Sequence, residues 1–261
     1  MSLSYSVRDG VAVIVLDRPT VLNAFDDDLG RRALEAVERA AADDEVRCIA
    51  ITGAGRAFSS GEDLAALSEG YERGEAPDLG RILRTRYNPL IRALVGAPKP
   101  VVAAVNGVAA GAGASVALAC DFRVASEHAK LTFGFARVGL VPDSGALWFL
   151  ARMVGSARAW NLAVSARVVS ADEGRALGLF DQVLAADEFE GGWRTLAREL
   201  AVGPTRAFAL TKKLLAEAPE HSLDLQLDAE VTAQAEAGAS EDHLEGVQAF
   251  LAKRPPRFTG R

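Results

Sequence analysis

Apolar and polar positions change period several times along the chain, and the changes mark out its elements. Tyr5 to Arg8 and the mostly apolar run Val11 to Leu16 flank Asp9-Gly10, which predicts an opening hairpin. Asp26 to Asp28 then precede Leu29, Leu34, Val37 and Ala41 at helical spacing, so a capped helix is expected. Val46 to Thr52 reads as a buried strand ending at Gly53. The small-residue loop Phe58-Ser59-Ser60-Gly61 follows, with a short helix expected from near Glu62.

Tyr71 to Asp78 is rich in Gly and charge and is expected to be mobile. A helix is predicted from Leu79 to Val95, closed by Pro98-Lys99-Pro100. The strand, loop and helix order then repeats with Val101 to Val105, a Gly/Ala loop, and Ala112 to Ala119. Strands at Phe122 to Ala125 and Leu131 to Phe133 lead to the turn Val141-Pro142-Asp143-Ser144-Gly145 and another apolar helix. After about residue 195 no strand pattern is visible. Segments 204–217, 222–237 and 240–253 read as amphipathic helices, and Pro255 to Arg261 as a basic tail. The expected division is an α/β core over 1–195 and a helical part over 196–261.

Composition narrows the function classes. Hydrophobic residues make 49% and charged residues 25% of the 261, an ordinary globular balance. A net charge of −6 opposes nucleic-acid binding, which needs a basic face for phosphates. Cys48 and Cys120 lie in apolar runs without disulfide spacing and read as reduced core thiols. No secretory signal or membrane-length apolar run is visible, so a soluble cytoplasmic protein is expected, with no membrane partner.

Two loop-to-helix junctions are candidates for chemistry: Ser59-Ser60-Gly61-Glu62-Asp63-Leu64 and Gly111-Ala112-Gly113-Ala114-Ser115. Each follows an apolar strand and is built largely from small residues. Helix starts carry unpaired N–H groups that suit an anion or a developing oxyanion. Equally, both could be no more than tight strand–helix connections. A dinucleotide reading of the second is weak, since Val116 stands where a third glycine belongs. Asp143 lies between apolar segments whose desolvation would make it a stronger base, but Pro-Asp-Ser-Gly is also good turn and capping chemistry. Asp63 reads as a cap. No nucleophile elbow assembles at Ser115 or Ser144. His128, His221 and His243 lack ligand spacing, so no metal is expected.

At this point the chain resembles the enoyl-CoA hydratase/isomerase (crotonase) family over nearly its whole length. The resemblance rests on Leu16-Asp17-Arg18-Pro19 with Leu22-Asn23-Ala24, Thr52-Gly53 through Leu64, and Pro98-Lys99-Pro100-Val101. It continues in Asn106-Gly107 through Gly113, Cys120-Asp121 and Gly139-Leu140-Val141-Pro142. It implies a ββα spiral core that binds acyl-CoA over 1–195, and a C-terminal region that forms trimers or dimers of trimers. It implies that the N–H groups of Glu62 and Ala112 form an oxyanion hole for the thioester. Ser60, Asp63, Leu64 and Gly111 would line the CoA site, and Phe250 and Lys253 would meet CoA, often from a neighbouring subunit. No separate cofactor is expected, CoA being part of the substrate.

The departures from the family pattern bear on the reaction. Two glutamates of the hydratases correspond here to Ser115 and Phe135, and water addition uses two carboxylates. A single acid at Asp143 is similar to isomerases that move one proton between carbons. Ala76-Pro77-Asp78-Leu79-Gly80, Tyr87-Asn88-Pro89-Leu90, Pro142 to Gly145 and Ala249 to Gly260 look most like the 3-enoyl-CoA and ring-1,2-epoxyphenylacetyl-CoA isomerases of fatty-acid and phenylacetate breakdown. The alternatives are a hydratase using a displaced acid or a single carboxylate, a dehalogenase in which Asp143 attacks a ring, and a non-catalytic acyl-CoA-binding protein.

Overall fold

The computed structural model describes residues 2–261. It opens with β1 (Leu3–Arg8) and β2 (Val11–Leu16), paired antiparallel across Asp9 and Gly10. Both turn residues have positive φ, as a two-residue hairpin of the right twist demands. Helix α1 (Asp27–Ala42) follows, its Asp26 carboxylate accepting from the Leu29 N–H at 2.8 Å.

Three successive turns of a spiral come next, each laying one strand in each of two sheets. The first is β3 (Cys48–Gly53), β4 (Ala57–Ser59) and the helical run 64–96. The second is β5 (Val101–Val105), β6 (Val108–Ala110) and α5 (Ala112–Leu118), the first turn having contributed α2 (Ser68–Glu72), α3 (Leu79–Ile82) and α4 (Asn88–Gly96). The third is β7 (Phe122–Ser126), β8 (Lys130–Thr132) and, after a 3-10 turn over Gly134–Val138, α6 (Ala146–Val154) with α7 (Ser156–Ser165). Then β9 (Val168–Ser170), α8 (Ala171–Ala176) and β10 (Gln182–Leu184) complete the sheets, in orders β1-β2-β3-β5-β7-β10 and β4-β6-β8-β9. Pairing is parallel except at β1–β2 and β8–β9. This is the ββα spiral that the sequence resemblance implied.

The long strands read as unbroken apolar runs because both faces are buried. Ile14, Ile49, Ile51, Val101 and Ala103 face the main core between the sheets and helices. Val11, Val13, Cys48, Ala50, Val102 and Val124 face α9 (Ala186–Ala201), which presents Phe189, Trp193, Ala197 and Ala201. Both cysteines are free and buried. The expected division between residues 195 and 196 falls inside α9, whose buried residues on either side share one cluster. Helices α10 (Thr205–Glu217), α11 (Leu223–Gly238) and α12 (Glu241–Leu251) form the strand-free end.

The single helix expected from Leu79 to Val95 is interrupted. Leu83–Tyr87 winds as a π-helix between α3 and α4. Pro89 has no N–H to donate and its ring crowds the carbonyl four residues back, so the preceding turn widens. That widened turn carries Arg86 and Tyr87, both buried.

Candidate active site

The first junction is pinned from below by Asn23, which is fully buried. Its Nδ2 donates to the carbonyls of Ala54 (2.9 Å) and Ala57 (2.7 Å), and its Oδ1 accepts from the Arg18 N–H at 2.9 Å. Ser59 Oγ donates to the Asn23 carbonyl at 2.8 Å and accepts from the Gly61 N–H at 3.2 Å. Phe25 then brackets the loop: its N–H donates to the Gly61 carbonyl and its carbonyl accepts from Asp63. Between these bonds the Glu62 N–H has no protein partner among the described residues.

The second junction abuts it. Gly111 donates to the Thr132 carbonyl at 3.0 Å and turns the chain into α5, which is buried along its length. The Ala112 N–H, at the helix start, likewise has no partner among the described residues. A Cβ on Gly61 (φ +91°) would lie 2.8 Å from the Ala110 carbonyl oxygen and 3.2 Å from the Ala112 nitrogen. One on Gly113 would lie 2.6 Å from the Ser59 carbonyl oxygen. Glycine at both places lets the two backbones touch.

Asp143 stands behind α5. Ser115 Oγ donates to the Asp143 carbonyl at 3.1 Å, and that same carbonyl accepts from the Ala146 N–H at 2.9 Å. The Asp143 side chain does not cap α6, whose N-cap is Gly145; it accepts from Ser144 Oγ at 2.8 Å. The capping alternative is therefore closed. Burial raises the Asp143 pKa above the ordinary aspartate value, the Ser144 hydrogen bond opposes this, and the charge of Glu62 adds to it. Phe135, 8% exposed, puts its ring 3.9 Å from where a Gly111 Cβ would be, so an apolar wall borders the site.

Sequence reasoning missed what holds the Glu62 side chain. Arg86 Nη1 donates to both carboxylate oxygens at 2.6 and 2.7 Å, and Tyr87 Oη donates to Oε2 at 2.6 Å. Arg86 also pairs with Asp27 at the start of α1. Burial works against the Arg86 charge, but the bonds to Asp27 and Glu62 outweigh it and keep the guanidinium firmly protonated. Tyr87 is pushed upward by burial and by the neighbouring carboxylate. The adjacent Arg-Tyr pair in an otherwise amphipathic helix was the available signal, with Pro89 after it marking the widened turn that aims both at one carboxylate.

Other expected site residues are placed as follows. Asp63 caps the 3-10 turn, accepting from Ala66 at 3.2 Å, and pairs with Arg18 at 3.0 Å. Ser60 Oγ donates to the Val21 carbonyl at 3.3 Å, and Leu64 is exposed beside it. Phe250, 81% exposed, lines a trough of about 450 Å³ with Pro204, Ala207 and Phe258. Neither Phe250 nor Lys253 has a hydrogen bond or ring contact with the two junctions among the described residues.

Comparison with known proteins agrees with this architecture. The enoyl-CoA hydratase/isomerase family matches residues 6–261. A Rhodobacter capsulatus protein named probable enoyl-CoA hydratase is 45% identical over 260 residues, covering 100% of this chain and 98% of the relative. The 1,2-epoxyphenylacetyl-CoA isomerase of Escherichia coli is 44% identical over 255 residues, covering 98% and 97%. The crystal structure of enoyl-CoA hydratase from Bacillus anthracis superposes with a TM-score of 0.92 at 28% identity, covering 100% of both chains. The fold is thus the crotonase fold. The chain belongs to the enoyl-CoA hydratase/isomerase family.

Proposed function

We propose that this chain is an acyl-CoA isomerase in which Glu62 and Ala112 supply an oxyanion hole and Asp143 shuttles one proton. The observation that carries the reading is the pair of unpartnered N–H groups on abutting junctions, with a desolvated carboxylate behind the second. Donors fixed before reaction stabilise charge as it develops on a thioester oxygen, without reorganising. For a 3-enoyl-CoA, ionised Asp143 takes a proton from C2 and the dienolate oxygen rests on the two N–H groups. The protonated acid then returns the proton at C4, leaving the 2-enoyl product with no atom gained or lost. A raised pKa strengthens Asp143 as a base towards carbon. The same polarisation would assist ring expansion of an epoxide, the substrate type named for the Escherichia coli relative.

A second reading, hydration, draws on the name of the Rhodobacter capsulatus relative. In its ordinary form it uses a second carboxylate to orient water. Ser115 and Phe135 supply none, and both oxygens of Glu62 are engaged by Arg86, one of them also by Tyr87. Ser60, Asp63, Leu64 and Gly111 border the proposed acyl-CoA path. Exposed apolar side chains such as Trp160 (71%) and Phe250 suit a trimer or dimer of trimers, in which Phe250 and Lys253 would reach CoA on a neighbour. No separate cofactor is required by this chemistry, and a cytoplasmic location suits it. Among the described residues no helix is long and apolar enough to cross a membrane.

The test is a panel of 3-enoyl-, 2-enoyl- and ring-epoxide CoA esters, scored by product identity for the native chain and Asp143→Asn. Isomerised product from the native chain, lost in the variant while ester binding persists, is the expected result. Hydrated product, or turnover unchanged in the variant, would overturn the assignment.

A further inference from the structure

The unpartnered Glu62 N–H belongs to the peptide whose carbonyl is that of Gly61. In a planar trans peptide the two groups point in opposite directions, so whatever fixes the Gly61 carbonyl aims the Glu62 N–H. Phe25 fixes it. Its N–H donates to the Gly61 carbonyl at 2.7 Å and its own carbonyl accepts from Asp63 at 2.9 Å, which makes a parallel bridge between Phe25 and Glu62. The direction of the first donor therefore depends on how firmly residues 25 and 62 are held against each other.

Arg86 and Tyr87 hold both. Arg86 Nη1 donates to the two Glu62 carboxylate oxygens at 2.6 and 2.7 Å and reaches the Phe25 carbonyl at 3.5 Å. Tyr87 Oη donates to the same carboxylate at 2.6 Å, while its ring meets the Phe25 ring edge-on with centroids 5.8 Å apart. Both side chains leave the π-turn, a geometry often found at functional sites. Arg86 is anchored in turn to α1: its other terminal nitrogen pairs with Asp27, and a Cβ on Gly30 would lie 2.3 Å from its Cγ. Its Nε is buried with no partner among the described residues, a costly arrangement that calls for a role beyond packing.

We propose that Arg86 is a positioning residue for the oxyanion hole: by locking the Glu62 side chain to Phe25 and to the start of α1, it keeps the Glu62 N–H aimed at the thioester oxygen of the substrate. This rests on the oxyanion-hole reading above and deepens it, because Arg86 acts through Glu62. Arg86 also pairs the Glu62 negative charge, which sits on the very residue whose N–H must receive a developing negative oxygen.

The test reads the donor directly, as the infrared carbonyl stretch of butanoyl-CoA, isotope-labelled at its thioester carbonyl and bound to the full chain. This ester has no double bond to move, so the reading needs no turnover. Aimed donors polarise the carbonyl and lower its frequency on binding. Arg86→Met should lose about half or more of the native shift while the ester still binds, since one of the two donors is no longer held in place. Arg86→Met combined with Glu62→Gln removes both charges of the pair and leaves neither buried alone, which favours folding. It should lose the shift too, because the new amide has no anchor to α1. With a 3-enoyl-CoA, kcat should fall about tenfold or more with KM little changed, as outright loss of an oxyanion donor costs roughly 10²–10³. A native shift kept in full by the folded double variant would overturn the proposal and leave Arg86 a purely structural residue. No shift in the native chain would overturn it together with the oxyanion hole. A native chain that shifts the carbonyl, loses that shift without Arg86 and isomerises no ester would support the proposal and refute the isomerase reading alone.

Discussion

Ser115 Oγ donates a hydrogen bond to the Asp143 carbonyl at 3.1 Å, joining the helix of the second junction to the turn that carries the acid. Ser115 is fully buried. In the proposed mechanism this short tether would fix the distance between oxyanion donor and base. Ser115→Ala removes the tether without adding bulk. The Asp143 carbonyl keeps its bond from Ala146, so stability should fall by only about 1 kcal/mol. The kcat should fall more than KM changes, because alignment matters most in the transition state. Thermal unfolding and steady-state kinetics on a 3-enoyl-CoA check both expectations; a raised KM with unchanged kcat would contradict the tether.

The raised pKa of Asp143 has a consequence for stability, with a definite sign. Burial is the leading cause, so the folded protein holds the proton more tightly than the unfolded chain does. The stability it contributes is fully present below the unfolded aspartate pKa and is lost as pH rises through the higher folded value. Asp143→Asn removes that charge while keeping the shape. The variant should therefore melt higher than the native chain at neutral pH, and the advantage should shrink in acid. Melting curves across that range test it, and an Asp143→Asn protein less stable at neutral pH would refute it.

How far the site could be read from the sequence depends on the scale of the signal. The strands β2, β3 and β5 carry five or six consecutive apolar or small residues because both faces are covered, so their pattern alone locates them. The strands β4 and β6 of the second sheet are three residues each, too short for a period of two to register, so their sequence reads as loop. Those short strands are what bring the two junctions together. Asp143 was visible as a candidate, but only the structure separates a cap from a free acid. Arg86 and Tyr87 were hidden because a regular helix would point neighbouring side chains apart, whereas the π-turn converges them.

The abutment of the junctions can be tested by adding one atom. Gly61→Ala combines a left-handed backbone, at φ +91°, with a Cβ 2.8 Å from the Ala110 carbonyl oxygen. Backbone conformation alone should cost on the order of 1 kcal/mol in either of two glycines. Gly178→Ala isolates that cost, since Gly178 has φ +78° but nothing within 4 Å of its Cβ position. Gly61→Ala must in addition push the first junction away from the second and separate the Glu62 and Ala112 donors. It should lose at least about tenfold more kcat than Gly178→Ala, since misplaced oxyanion donors weaken transition-state stabilisation. Kinetics and melting of the pair decide the matter. Equal activity in the two variants would mean that the Gly61 contact is a packing detail and that the two donors do not act on one oxygen.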